Sequence, residues 1–160
     1  MIREVQKEDA EAIAAIYNHF VENTVVTFEE EIVTVDEMAQ RIETISAEFP
    51  WFVFEENGQI LGFAYAKTWQ VKSAYRYSLE STVYLSPGQA GKGIGTGLYE
   101  RLLAELKQRG VHAVIAGITL PNPHSIALHE KFGFTKAAHY KEVGRKFDKW
   151  IDVGYWQLVL

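Results

Sequence analysis

The sequence predicts an α/β protein, a mixed central sheet of about seven strands with helices on both faces. Three observations predict it. The strand-like and helix-like runs follow the order strand, two helices, hairpin, strand, helix, strand, helix, two strands, which suits neither a barrel nor a doubly wound sheet. A glycine-rich turn, Gln89-Ala90-Gly91-Lys92-Gly93-Ile94-Gly95-Thr96-Gly97, joins a strand to a helix. The chain of 160 residues is 48% hydrophobic and 13% aromatic, enough for a substantial core in one domain spanning residues 1–160.

Met1 to Val5 reads as a short strand. Asp9 is placed to cap a helix running to about Phe20, with the apolar stripe Ile13, Ile16, Tyr17 and Phe20. Asn23-Thr24 breaks that pattern, and Val25 to Phe28 falls in a connection between helices, the kind of loop that often borders a pocket. Thr34 with Glu37 forms a capping box for a second helix whose stripe is Met38, Ile42 and Ile45, and Pro50 ends it. Trp51 to Phe54 and Ile60 to Lys67 are strands joined by Glu56-Asn57-Gly58-Gln59, a strong hairpin signal. A polar and aromatic stretch, Trp69 to Ser78, leads into the strand Leu79 to Leu85.

After the glycine turn, Ile94, Leu98, Leu102 and Leu106 mark one face of a helix expected from Leu98 to Arg109, capped by Gly110. Val111 to Ile118 is a continuous apolar run, as in a strand buried on both faces. Pro121-Asn122-Pro123 breaks it. Ser125 is placed to cap a helix from Ile126 to Phe132, and Gly133 closes it. Thr135 to Val143 and Ile151 to Leu160 are the last strands, with a turn at Phe147-Asp148-Lys149-Trp150.

Strand, glycine turn, helix is the architecture of an anion cradle. Glycines adopt positive φ and admit a ligand close to the backbone. The first helical turn offers unpaired N–H groups and the positive end of the helix dipole, so a diphosphate is the natural guest. The G-x-G-x-x-G spacing is absent, and Ile94 after Gly93 breaks G-x-x-x-x-G-K-[ST], so neither a dinucleotide fingerprint nor a nucleotide-triphosphate loop is present.

Composition excludes other classes. Net charge is −5, with no clustering of Lys and Arg that would predict a nucleic-acid surface. No cysteine is present, which removes disulfides, thiolate metal sites and a cysteinyl acyl intermediate. No His, Asp and Glu set has metal-ligand spacing, so no metal is expected. No secretion signal and no apolar stretch of membrane-spanning length is found; a cytoplasmic protein with no membrane partner is expected.

The element order and the glycine turn resemble the GCN5-related N-acetyltransferase (GNAT) family over nearly the whole chain. That family has a Q/R-x-x-G-x-G/A turn. The aligned stretch here is Ala90-Gly91-Lys92-Gly93-Ile94-Gly95, with Ala90 at the Q/R position and Gln89 one place early. Downstream, Asn122-x-x-Ser125-x-x-Leu128-His129-x-x-Phe132-Gly133-Phe134 is similar to the family's N-x-x-[AS]-x-x-[LF]-Y-x-x-x-GF segment, with histidine replacing tyrosine. The phosphinothricin and methionine sulfoximine acetyltransferases are the most similar group. The supporting residues are Ile16-Tyr17-Asn18, Glu80 to Pro87, His129-Glu130, and Trp150-x-Asp152 through Leu158.

The resemblance implies a mostly antiparallel sheet, acetyl-CoA as acetyl donor, a small amino-acid-like acceptor and a homodimer, to which Tyr155-Trp156 could contribute unless they are core. It implies that Gly91, Lys92, Gly93, Ile94, Gly95 and Thr96 hold the diphosphate. Asn122 and Ser125 would then lie along the pantetheine arm. Backbone amides of Val83, Tyr84 and Leu85 would pair with that arm and face the developing oxyanion, in a widening between the fourth and fifth strands.

Acetyl transfer to an amine needs a proton acceptor, since model amines titrate near 8 to 10. Glu80, in an otherwise neutral apolar segment, is the candidate base; without the resemblance, a strand-end glutamate is as readily a solvated group or a partner of Arg76. His129 stands where the family places its thiolate-protonating tyrosine, and serves as acid, second base or a hydrogen-bonded helix residue. His19, His112, His124 and His139 have no comparable register. For the acceptor's carboxylate, Arg76 offers a two-pronged match and Lys72 a looser one, with Tyr75 and Phe28 as walls. Other acceptors (a polyamine, an aminoglycoside, a protein N-terminus) and a non-catalytic acyl-CoA sensor remain as alternatives.

Overall fold

In the computed structural model, which describes residues 1–160, seven strands form a single sheet. They are β1 (Ile2–Glu4), β2 (Trp51–Glu56), β3 (Gln59–Thr68), β4 (Ser78–Leu85), β5 (Ala113–Thr119), β6 (Thr135–Lys146) and β7 (Lys149–Val159), in the spatial order β1-β2-β3-β4-β5-β7-β6. Every pairing is antiparallel except β4 with β5. Helices α1 (Ala10–Asn23) and α2 (Val35–Ser46) pack on one face, around Ile13, Val21, Ile42, Val53 and Phe63. Helices α3 (Ile94–Gln108) and α4 (Pro123–Lys131) lie on the other; Leu98, Tyr99, Leu102 and Leu106 of α3 meet Phe52, Ala64 and Val114 there. No helix is long and apolar enough to cross a membrane.

Local chemistry sets most boundaries. The Thr34–Glu37 capping box forms in both directions, Glu37 N to Thr34 Oγ1 at 3.1 Å and Thr34 N to Glu37 Oε2 at 3.0 Å. The β2–β3 hairpin turns at Asn57 and Gly58, whose φ values are 52° and 75°, as a two-residue turn with positive φ at both positions requires.

Four expectations are corrected. Asp9 does not cap α1 with its side chain: its carboxylate takes two hydrogen bonds from Arg3 and one from Gln6 N, and α1 continues to Asn23. Helix α3 starts at Ile94, not Leu98, because Gly93 with φ 82° provides the cap geometry one turn earlier. Asn122, not Ser125, caps α4, its side chain accepting from Ser125 N. Strands β6 and β7 stay paired past Val143 to Lys146 and Lys149, across an irregularity between Tyr140 and Gly144. Phe147 and Asp148, with φ 51° and 57°, make the tight turn.

Strands β4 and β5 pair in parallel over only three rungs, Ser78 with Ala113, Leu79 with Val114 and Glu80 with Ile115. Beyond Glu80, β4 stays bonded to β3 as far as Leu85, and β5 stays bonded to β7 as far as Thr119. The two strands therefore diverge like a V, with Glu80 on the last rung.

Candidate active site

The V opens into a cavity of about 920 Å³. Its walls come from both faces of the sheet. On the α3–α4 side stand Ser81, Val83, Tyr99, Asn122, Ser125 and His129; on the α1–α2 side stand Glu80, Thr82, Tyr84, Lys67, Phe28 and Arg41. A split sheet can thus receive two ligands from opposite faces and let them meet in the gap.

Backbone alternation identifies the groups that β4 offers to the gap. Ser86 N donates to Leu61 O at 2.8 Å, and Leu61 stands directly opposite Ser86 in the β3–β4 register. Successive residues point their amides to opposite sides, so Tyr84 and Thr82 bond toward β3. Val83 and Leu85 turn their N–H and C=O toward the gap, past the last rung with β5. Of the three amides expected to serve a ligand, those of Val83 and Leu85 face the gap. Tyr84 instead contributes its ring to the floor, against Tyr17, Phe20 and Phe63.

The glycine turn follows directly. Gly88, Gly91 and Gly93 have φ near 79°, 78° and 82°, and a Cβ at any of them would meet no protein atom within 4 Å. They are glycine for conformation, not for close packing against the protein, which leaves the concave side free for a guest. The N–H groups from Gly91 to Thr96 find no acceptor within the chain, and the start of α3 adds its dipole. These residues fit an anionic group such as a diphosphate. Gly95 and Gly97 have a different reason: a Cβ would press on Leu128 at 3.3 Å and Ile2 at 3.2 Å, so they let α3 pack closely. Lys92 is tied to Gln89 Oε1 at 3.1 Å and is exposed.

Glu80 lies half-buried at the vertex. Burial pushes its carboxyl above the usual range, and the nearby Lys67 ammonium pulls only partly the other way. Lys67 Nζ is 3.9 Å from Glu80 Oε1. A half-buried carboxylate with one cation beside it is more basic than a solvated one, which suits it to take a proton from a bound amine.

His129 is buried and both ring nitrogens are engaged. Nδ1 lies 2.6 Å from Ser125 O, which can only accept, so Nδ1 carries the proton. Nε2 then accepts from Tyr99 Oη at 2.7 Å, and Tyr99 in turn is 3.1 Å from Ser81 Oγ. Burial lowers the imidazole below its ordinary range, so the ring is neutral at pH 7. His129 thus closes a buried chain Ser81–Tyr99–His129 that runs along the α3–α4 wall. Tyr99 was not legible as a site residue, because it sits in the core stripe of α3.

The α1–α2 side of the cavity carries polar contacts between distant segments. Tyr17 hydrogen-bonds both Thr27 and Glu29, and Arg41 grips Glu29 with two bonds of 3.0 and 2.6 Å. The Arg41 guanidinium holds the Glu29 carboxyl below its usual range, against the effect of burial. Phe28 lines this side and leans over Gly144, where a Cβ would collide with its ring. The loop is fastened from behind by the buried Lys146, whose Nζ donates to Thr27 O at 2.9 Å.

Three expected acceptor residues do not join this cavity. Lys72, Tyr75 and Arg76 lie on the exposed loop between β3 and β4. Arg76 is bound to Ser73 O at 3.0 Å and stacks on Tyr77, so its charge is directed along its own loop and not to Glu80. In the last strand, Trp156 is core, whereas Tyr155 lines the cavity. His139 pairs with Asp152 at 2.8 Å, away from the site. No group of three or more His, Cys, Asp or Glu side chains could hold a metal.

Comparison with known proteins agrees with this geometry. The family described as Acetyltransferase (GNAT) domain matches residues 2–154. A phosphinothricin N-acetyltransferase of Streptomyces viridochromogenes is 38% identical, over 98% of this chain and 85% of that protein. Among solved structures, a phosphinothricin acetyltransferase of the GNAT superfamily from Sinorhizobium meliloti, in complex with AcCoA, superposes with a TM-score of 0.96. It is 36% identical and covers 100% of this chain and 88% of that one. A structure described as ribosomal-protein-alanine N-acetyltransferase from Brucella melitensis superposes with a TM-score of 0.97, at 37% identity, covering 100% and 99%.

Proposed function

Because the chain belongs to the GNAT acetyltransferase family and is an acetyl-CoA-dependent N-acetyltransferase, we propose that it acetylates the α-amino group of a small amino acid of the phosphinothricin or methionine sulfoximine type by direct transfer. The observation that carries this reading is the position of Glu80, a half-buried carboxylate on the last rung before β4 and β5 part. Acetyl-CoA supplies the acetyl group as a thioester. The turn from Gly91 to Thr96 holds its diphosphate, and the free amides of Val83 and Leu85 hold its pantetheine arm along the gap.

In this reading the acceptor enters as an ammonium from the α1–α2 side. Glu80 takes one proton from it, directly or through a water, and frees the nitrogen lone pair for attack on the carbonyl carbon. Backbone N–H groups of β4 stabilise the negative charge that develops on the carbonyl oxygen. The C–S bond breaks as the C–N bond forms, and the second nitrogen proton leaves to the departing thiolate. The chain Ser81–Tyr99–His129 stands along that side. Its neutral histidine accepts the Tyr99 hydroxyl proton in a hydrogen bond, so the chain acts as a fixed polar support for that wall.

The cavity also bears on the acceptor class. Glu29 is matched by Arg41, and Glu80 by Lys67, so the walls carry as many cations as carboxylates. A polyamine or aminoglycoside would meet Arg41 and Lys67 without an excess of acidic groups, which disfavours it.

The test is to follow free thiol release from acetyl-CoA with a panel: phosphinothricin, methionine sulfoximine, ordinary amino acids, a polyamine, an aminoglycoside and a peptide with an N-terminal alanine. The proposal expects the first two to give the highest kcat/KM, by about tenfold or more over the peptide. Preference for the peptide would replace the substrate class, and tight acetyl-CoA binding without release for any amine would make the protein a sensor.

A further inference from the structure

We propose that Lys67 is the anchor for the acceptor's carboxylate, and so makes the site selective for free α-amino acids over their amides, peptides and simple amines. This rests on reading Glu80 as the base. Lys67 and Glu80 stand directly opposite each other on β3 and β4, so their side chains leave the sheet on the same face, toward the cavity both line.

Geometry makes the pair a two-point receptor. Their Nζ and Oε1 are 3.9 Å apart, too far for a hydrogen bond, and Lys67 donates to nothing else in the chain. In an α-amino acid, the amine and the nearer carboxylate oxygen are separated by roughly 3 Å, from standard bond lengths. A zwitterion can therefore bridge the pair, its ammonium on Glu80 and its carboxylate on Lys67, each at about 2.8 Å. An amine without the carboxylate fills only half of this arrangement and leaves the Lys67 ammonium with Glu80 at 3.9 Å and the field of Glu29 alone.

The other cation on this side is not available in the same way. Arg41 spends two donors on Glu29, and it lies on α2 rather than beside Glu80. Glu80 feels Lys67 and Tyr65 from β3, Tyr99 from α3 and Tyr155 from β7; Lys67 is the sole cation among them. The sequence concealed this role: Lys67 closes an apolar strand, and only the β3–β4 register brings it to Glu80.

The experiment compares an accepted amino acid with its carboxamide, using the intact protein and the variants Lys67→Met and Lys67→Arg. Taking the variant-to-parent ratio separately for each acceptor cancels the different amine acidities. Lys67→Met should raise KM for the free amino acid about tenfold or more, the weight of one charge-assisted contact. It should change kcat by no more than about twofold and leave the carboxamide's KM nearly unchanged. Lys67→Arg should restore most of the preference. Loss of the nearby cation should also move the acidic limb of kcat/KM to higher pH, because the Glu80 carboxylate loses its stabilising neighbour.

An equal rise in KM for acid and amide, or a loss confined to kcat, would overturn the anchor while leaving acetyl transfer intact. Failure of the parent protein to acetylate any amino acid would instead remove the substrate class itself.

Discussion

Glu80→Gln is expected to lower kcat by about 10²-fold or more, the usual weight of a general base, while the Kd for acetyl-CoA stays within about twofold. The substitution keeps size and shape but removes the ability to accept a proton. Glu80 faces the α1–α2 side of the split sheet, whereas the amides and glycines assigned to the cofactor lie elsewhere. The two measurements should therefore separate. In the parent protein the acidic limb of kcat/KM should lie above the ordinary glutamate range near 4.3. Burial raises the carboxyl more than Lys67 lowers it. Activity requires the deprotonated form, so it should fall as pH drops through that raised value. The limb should vanish in the variant. Undiminished turnover would remove Glu80 from the chemistry.

Gly93→Val should act on the other half of the site, raising the Kd for acetyl-CoA by at least about tenfold. Gly93 sits at φ 82° immediately before the first residue of α3. A side chain there costs about 1–2 kcal/mol in backbone conformation, and a β-branched one adds crowding. It would also project into the open concave side that the diphosphate is to occupy. Stability alone could produce a false positive, and Gly110 supplies the control. It closes α3 at φ 79°, with equally open surroundings. Gly110→Val should cost similar stability, read as the denaturant midpoint, but leave acetyl-CoA affinity unchanged. Equal affinity loss from both variants would mean that the turn has no special claim on the cofactor.

These two sites differ in how far the sequence revealed them. The conformation of the glycine turn was legible because its signals are local: glycines that adopt positive φ, followed by an amphipathic helix. The Thr34–Glu37 box and the Asn57-Gly58 turn were legible for the same reason. The start of α3 was misjudged because Gly95 and Gly97 look like helix breakers. They are tolerated since Leu128 and Ile2 occupy the space a side chain would take. Asn122 was seen as a cofactor contact and missed as a cap, although its side chain takes the Ser125 N–H.

The acceptor side was harder, because it is assembled from distant segments. Arg76 looked attractive as a two-pronged match for a carboxylate, yet its loop carries it away. Lys67, Glu29 and Arg41 come together only through the β3–β4 register and the packing of α2 beside the loop before it. Tyr99 and His129 meet across 30 residues of sequence, inside the core. Composition gives no hint of such contacts; they arise from the sheet order and from how the helices and loops pack on it.

The gap between β4 and β5 is expected to bring a thioester and an amine together at Glu80. The most direct measurement is a crystal structure with a stable bisubstrate, coenzyme A joined to the amine of an amino acid. The diphosphate should lie on the amides of Gly91 to Thr96, the pantetheine arm along Val83 and Leu85, and the amino-acid nitrogen within reach of Glu80 directly or through one water. An inhibitor bound with the glycine turn facing solvent, or with its nitrogen on the far side of the sheet from Glu80, would contradict it.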